Sequence, residues 1–487
     1  MAKKEKKEEK KEEKKKPSVN LWKREQGWDK LDKDELAKLD AYCDEYIDYI
    51  SNAKTERLAH DIALQMAVKK GFKNFDELVK AGKKLKPGTK VYRSCYGKTL
   101  FLAVIGSEPL ENGLNLVGSH IDCPRLDLKP SPLYEDDKLV LLDTHYYGGI
   151  KKYQWVTLPL ALHGVIFKKD GTKIQLDIGE KPDDPVLTIT DLLPHLGRDQ
   201  AGKPLSTAIP GEALNVLIAS RPIDKENDDK EVGEKTKLRI LKLMKDTYGL
   251  EEEDFASAEI EITPAGPARH LGLDKSMVLG YGQDDRVCAF GAVKAIFDLK
   301  GTPSRTAAAV ICDKEEIGSV GQTGMESTFM ENTVAELVNL TVDKYSDLLT
   351  RRALEHSQML SADVCALHDP GFGDVSSPHN MPKINCGIAL MKYTGGGGKG
   401  GSSDASAEFM SKVRTIFNDN KVIWQMGELG KVDVGGGGTI AHFLAHYGMN
   451  VVDCGVGLFS MHAPYETAGK LDIYMGYKAY KAFFESK

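Results

Sequence analysis

The stretch ICDKEEIGSV, residues 311–320, sets the reading of this chain. It closes an apolar run, TAAAVIC over 306–312, whose length and composition predict a buried strand. Past the carboxyl end of that strand stand two adjacent carboxylates, Glu315 and Glu316, followed by a turn of small residues. In open α/β sheets that edge is where ligands bind. Two neighbouring acids there can divide the work, one binding a cation and the other handling protons beside it. Taken alone, the pair is also accounted for by two solvated acids at a helix start, where the dipole favours negative charge. What stands at the ends of the other expected strands decides between the two.

Upstream, KVYRS, TLFLAVIG and NLVGSH have strand lengths and strand patterning, and the third ends in His120 with Asp122 two residues on. Histidine is the commonest nitrogen ligand for a metal, and an Asp two positions along an extended chain can lie on the same side to orient it. A lone His-x-Asp is weak evidence by itself. Downstream of residue 280, Asp284 and Asp285 precede the periodic run VCAFGAVKAIFDL, a helix stopped at Lys300-Gly301, where N-capping alone would explain both acids. A strand-like run ends at Val342-Asp343, and a helix is expected over 347–360. Asp363 opens the next segment, and His462 follows the strand-like VVDCGVGLF and precedes the helical GYKAYKAFFES.

The inventory is His120, Asp284, Glu316, Asp363 and His462, with Asp122 and Glu315 one or two residues from a candidate ligand. Five nitrogen and oxygen ligands suit two adjacent divalent ions sharing a bridging carboxylate, which can clamp a water nucleophile and a polarised carbonyl. A single ion would need only three protein ligands and an open position. Absence of Cys from the set fits a hydrolytic rather than a structural zinc site.

The remainder of the chain sets the class. A length of 487 residues suggests two or three domains, and 41% hydrophobic with 28% charged residues describes a soluble globular protein. A net charge of −6 argues against nucleic acid as a partner, and no apolar run approaches a membrane span. The eight cysteines are scattered without Cys-x-x-Cys, so neither a zinc finger nor a disulfide framework is indicated. The first sixteen residues hold nine Lys and five Glu with no apolar core, which reads as a solvated tail rather than a secretory signal. The cytoplasm is the expected compartment. Folded sequence is expected from Pro17, with two amphipathic covering helices between Lys33 and Phe72. From 131 to 254 the pattern changes to short strand-like runs and a charged stretch, which predicts a mostly β domain inserted in the larger α/β one at 17–130 and 255–487. Two glycine clusters, 394–404 and 433–441, lack phosphate-loop and dinucleotide spacing and read as turns where backbone passes close to a ligand or neighbour.

GSHIDCPRLDLKP, GQDDR, DKEEIGS, LSADV and SMHAPYE, in this order and spacing, resemble the aspartyl aminopeptidase family of dinuclear zinc metallopeptidases. The resemblance covers nearly the whole chain after the tail. It implies an α/β/α mixed-sheet catalytic domain with an inserted β dimerisation domain. It also implies removal of single amino-terminal residues from peptides, with a preference for Asp or Glu, and dimers assembled into a dodecamer. The ligands of two Zn2+, for which Mn2+ or Co2+ could substitute, would be His120, Asp284 as the bridge, Glu316, Asp363 and His462. Glu315 would be the general base for a metal-activated water and Asp122 the orienting carboxylate. His195, in PVLTITDLLPHL, matches a histidine that the family sends into a neighbouring subunit's site to stabilise the oxyanion, and Lys392 matches a substrate-binding lysine.

Departures bear on specificity. The position three residues after Asp363 that carries a substrate-contacting histidine in the family is Ala366, with His368 nearby. Trp155 is followed by Val-Thr-Leu-Pro-Leu in place of the family's Phe-Asp-Arg-Asp-Leu, and Asp433 by Val-Gly-Gly-Gly-Gly in place of x-Pro-Cys-Gly. These leave the metal chemistry untouched. The alternatives are a catalytically silent assembly or carrier protein of the same fold and an N-acyl amino acid deacylase. The intact Glu315-Glu316 pair argues against the first, and the match of the inserted domain against the second.

Overall fold

The strand over 306–312 buries every residue, as its composition requires. Ala307, Ala309 and Ile311 face one side, against the helices Lys33–Asn52, Gln283–Phe297 and Lys470–Glu485, while Ala308, Val310 and Cys312 face the other, against Phe329–Thr341. Alternation with two buried faces is the signature of a central strand covered by helices on both sides. The computed structural model describes residues 24–224 and 233–487; the charged tail 1–16, the expected start of folding at Pro17 and part of the charged stretch, 225–232, lie outside the described residues.

Among the described residues, nine strands form a mixed sheet. Their order is Lys73–Asn74, Lys90–Cys95, Thr99–Val104, Thr306–Cys312, Leu114–His120, Gln358–Ser361, Asn450–Gly455, Ile388–Met391 and Trp424–Met426. The four from Thr306–Cys312 to Asn450–Gly455 run parallel, so their carboxyl ends share one edge. Cys312 pairs with His120 and Ser361 with Gly118, which delivers Glu315-Glu316, His120 and Asp363 to that edge. A small sheet ties the other ligand-bearing loops to it: Met277–Gly280, leading to Asp284, pairs with Glu466–Gly469, just past His462. Its last strand, Cys365–Ala366, follows Asp363 directly.

The covering helices run over Lys33–Asn52 and Glu56–Lys69, and the side chains of Asp32 and Thr55 accept the backbone N–H groups of Glu35 and Leu58 at their starts. Two local expectations fail. The strand-like run ending at Val342-Asp343 belongs to the helix Phe329–Thr341, where Met330, Thr333, Val334, Leu337 and Val338 make a helical stripe. The helix expected over 347–360 stops at Glu355, and Gln358–Ser361 becomes a central strand. Tertiary pairing decides such short apolar runs, which periodicity alone leaves ambiguous.

A second sheet, antiparallel throughout, is ordered Lys173–Ile178, Leu160–Phe167, Ala258–Pro264, Arg125–Asp136, Leu139–Tyr147 and Val216–Ala219. Isolated bridges Leu160–Leu187 and Thr188–Leu217 link its outer strand back toward its interior. It has its own core around Trp155, Leu126, Ile166 and Ile262. The boundaries expected at 131 and 254 cut into this sheet, whose strands begin at Arg125 and end at Pro264. The helix Lys235–Tyr248 closes the charged stretch. At the root of the sheet Arg125 Nε lies 2.7 Å from Asp127 and 3.0 Å from Glu261, and Lys98 Nζ lies 3.0 Å from the buried Glu56 and 3.1 Å from Glu259.

The glycine clusters meet each other. Gly395 N–H donates to Gly437 O at 2.7 Å, and a Cβ on Gly436 would fall 2.3 Å from Gly396 Cα, so no side chain fits there. Among the described residues no helix is long and apolar enough to cross a membrane.

Candidate metal centre

The carboxyl edge of the parallel strands gathers the five candidate ligands. His120, the last residue of its strand, is 1% exposed, and its Nε2 lies 3.3 Å from Asp284 Oδ1 and 4.0 Å from Asp363 Oδ1. His462 Nε2 lies 3.1 Å from Asp284 Oδ2 and 3.7 Å from Glu316 Oε1. Each oxygen of Asp284 thus faces a different histidine. Three groups have ligand atoms close enough to hold an ion: His120, Asp284, Asp363; His462, Asp284, Glu316; and His120, Glu315, Glu316, of which the first two share Asp284 and together use all five candidate ligands. Capping does not account for the aspartates: the helix starting at Gln283 has Gly282 at its N-cap with no side-chain bond, and Asp284 and Asp285 are both outside helical geometry.

Glu315 Oε2 lies 3.9 Å from His120 Nε2, beside the ligands. Asp122 sits beneath the pair of glutamates: its Oδ1 accepts from Glu315 N–H and its Oδ2 from Glu316 N–H, both at 3.1 Å. His120 Nδ1 lies 3.0 Å from Asp122 O and 3.3 Å from Asp122 Oδ1, which aims Nε2 outward.

Electrostatics show what this cluster lacks. Burial, opposed by His120 and reinforced by Asp284 and Asp122, raises the Glu315 carboxyl to about 7. Burial works against a charged His462 ring, yet Asp284 and Glu316 hold it up at about 10. Burial and Asp284 likewise push Glu316 well above its ordinary range, against the pull of His462. Among the described residues Glu316 Oε1 has no hydrogen-bond partner, although that atom is fully buried. Carboxylates outnumber the imidazoles that could neutralise them, and among the described residues no Lys or Arg enters the ion pairs around Asp284. A nitrogen and oxygen donor set with unmet positive charge fits divalent zinc.

Three further residues, outside the sequence inventory, make four contacts in the centre. Glu466, four residues after His462, accepts from His462 N–H at 2.8 Å through Oε1 and from Asp284 N–H at 3.0 Å through Oε2. Its place in SMHAPYE was the available cue. Tyr147 Oη donates to Asp122 Oδ2 at 2.9 Å, and Gly149 O accepts from His462 Nδ1 at 2.9 Å; Tyr147 ends a strand of the second sheet and Gly149 lies in the bend that follows it. The remaining two expected site residues lie apart from these triads. His195 sits exposed on a turn flanked by Leu192, Leu193 and Leu196, themselves 54%, 49% and 68% exposed. Lys392 is half-exposed and ion-paired with Asp404 at 2.5 Å, and Lys399 reaches the same carboxylate at 3.2 Å.

Comparison with known proteins agrees with this chemistry. Residues 49–484 match the model of the aminopeptidase I zinc metalloprotease family, M18. A probable M18 family aminopeptidase 1 of Clostridium acetobutylicum is 48% identical over 470 residues, covering 96% of this chain and 100% of that one. The crystal structure of an M18 family aminopeptidase from Thermotoga maritima superposes with a TM-score of 0.90 at 40% identity, over 96% of this chain and 100% of that one. The mApe1 dodecamer of S. cerevisiae shares the fold, with a TM-score of 0.74 at 22% identity over 92% and 97% of the two chains. With the fold, the donor set and these relatives in agreement, the chain belongs to the M18 family and is a zinc-dependent aminopeptidase.

Proposed function

We propose that the enzyme removes single amino-terminal residues from peptides with two zinc ions per subunit, one held by His120, Asp284 and Asp363 and the other by His462, Asp284 and Glu316. The observation that carries the reading is that the two oxygens of Asp284 face two different histidines, at 3.3 and 3.1 Å. When bound, the ions would lower the pKa of a water and polarise the scissile carbonyl. Glu315 would accept a proton from the attacking water and pass it to the leaving amine, a role that suits a carboxyl raised to about 7. Asp122 holds the backbone of both glutamates and so orients the base.

His195 is the proposed oxyanion donor to a neighbouring subunit. Its exposed position among three exposed leucines supports burial of that turn against a second copy, as dimers assembled in a dodecamer like that of mApe1 would provide. Lys392 is the proposed anchor for an acidic substrate side chain. Asp404 already pairs with it, so an amino-terminal Asp or Glu must compete with that carboxylate, and the reading favours a residue preference broader than acidic. The cytoplasm is the compartment proposed.

The test is hydrolysis of free-amine and N-acetylated aminoacyl substrates bearing Asp, Glu, Leu and Lys, with and without chelator, by wild type and Glu315→Ala. Chelator-sensitive cleavage of the free-amine substrates, falling about 10²- to 10⁴-fold in the variant, is expected. Equal activity of the variant, or cleavage of the acetylated series, would remove Glu315 or the aminopeptidase reading respectively.

A further inference from the structure

The second sheet reaches into the centre just described. Its strand Leu139–Tyr147 ends beside Asp122, where the Tyr147 hydroxyl donates to Oδ2 at 2.9 Å, the same oxygen that receives the N–H of Glu316. Burial and the Asp122 charge keep that phenol protonated, and so a donor, through the working range. Two residues on, the Gly149 carbonyl accepts from His462 Nδ1 at 2.9 Å. A carbonyl can only accept, so this bond places the proton on Nδ1 and leaves Nε2 to face Asp284 and Glu316.

Space as well as hydrogen bonding is committed here. Gly148 adopts a φ of +70°, and a Cβ on it would lie 3.3 Å from both Cβ and Oε2 of Glu316. A Cβ on Gly149 would lie 3.3 Å from His462 Nδ1. The Tyr147 ring is itself braced, with the Arg125 guanidinium 3.9 Å from its centroid, and Arg125 is held by Asp127 and Glu261.

We propose that Tyr147 and Gly149 are positioning residues, through which the second sheet sets the geometry of the Glu315-Glu316 loop and of the His462 imidazole within its own subunit. The inference rests on the two-ion reading given above. Tyr147 acts through Asp122 on the backbone of the base, so its hydroxyl bears on turnover. Gly149 acts through the tautomer of His462, so it bears on how tightly an ion is held. Partners of this kind typically contribute about 10- to 100-fold to activity or metal affinity.

The experiment uses the full-length, zinc-loaded enzyme in three forms besides wild type: Tyr147→Phe, Gly149→Ala and, as a control, Tyr146→Phe, whose ring is 42% exposed. Phenylalanine keeps the ring over Arg125 and removes only the donor. Tyr147→Phe is expected to lower kcat about 10-fold or more with KM within about twofold of wild type. Gly149→Ala is expected to weaken zinc binding to the metal-free protein about 10- to 100-fold, read by competition with a chromophoric chelator. Both are expected to melt with wild type when metal-free, and Tyr146→Phe to match wild type in every readout. Unchanged kcat in Tyr147→Phe together with unchanged zinc affinity in Gly149→Ala overturns the proposal, as does a loss that simply follows a fall in melting temperature. A wild type that is active and binds two ions while both variants equal it refutes this inference alone; a wild type that binds no zinc overturns the two-ion reading and the positioning role with it.

Discussion

The molecule buries charge in two places and resolves it in opposite ways. At the root of the second sheet, Glu56, Glu261 and Asp127 face a guanidinium and an ammonium, Arg125 and Lys98, at 2.7 to 3.5 Å. At the carboxyl edge of the nine-stranded sheet, the ion-pairing partners of Asp284, Glu315, Glu316 and Asp363 among the described residues are His120 and His462. A fixed cation makes the first cluster a structural joint that needs nothing from solution. The second is built with its positive charge left out, and that difference separates a joint from a metal centre.

Substitutions should therefore act differently in the two clusters. Lys98→Met leaves Glu56 buried and underpaired, and a loss of about 3 kcal/mol in stability is expected, seen as a lowered melting temperature with zinc stoichiometry unchanged. An unaltered melting temperature would mean that the joint is held by packing alone. Asp363→Asn should go the other way in metal-free protein. Burial, opposed by His120 and reinforced by Glu315, pushes the Asp363 carboxyl well up, so its charged form is unfavourable near neutral pH. Neutral Asn should stabilise the metal-free chain by on the order of 1 kcal/mol while weakening zinc binding. Destabilisation of the metal-free variant would count against an unmet charge at the edge.

The smallest effect concerns His163, in the second sheet between Asp177 and Glu180, 3.0 Å from each. Burial opposes its charge, but the two carboxylates raise its pKa above 6.5 in the folded state. A raised histidine contributes stability that is fully present below the unfolded pKa and is lost as pH rises through the folded one. The melting-temperature difference between wild type and His163→Asn should thus be greatest near pH 6 and shrink above it. A difference that does not change with pH would show that the ring acts by packing.

The same contrast explains how much of the molecule is legible in its sequence. TAAAVIC, NLVGSH and the two helices after Lys33 carry their periodicity locally, and the structure places them over Thr306–Cys312, Leu114–His120, Lys33–Asn52 and Glu56–Lys69. The ligand types also stand at strand ends, where topology alone brings them together. Tyr147 and Gly149 are different: their partners, Asp122 and His462, are far away in sequence, and nothing local marks a tyrosine at the end of a half-exposed strand as a donor to a buried carboxylate. Asp284 and Asp285 resemble capping acids because their spacing before an apolar helix is that of a cap, and only the fold shows that both histidines reach Asp284. QML at 358–360 continues a helical run in sequence but pairs in parallel with Leu114–His120 and Asn450–Gly455, a non-local choice.

Asp284 as a ligand shared by two ions is tested most directly by calorimetric titration of metal-free wild type, Asp363→Ala and Asp284→Ala with zinc. Two ions per subunit are predicted for wild type, one retained in Asp363→Ala, and loss of tight binding at both sites in Asp284→Ala. A single ion in wild type, or two tight sites surviving in Asp284→Ala, would contradict it.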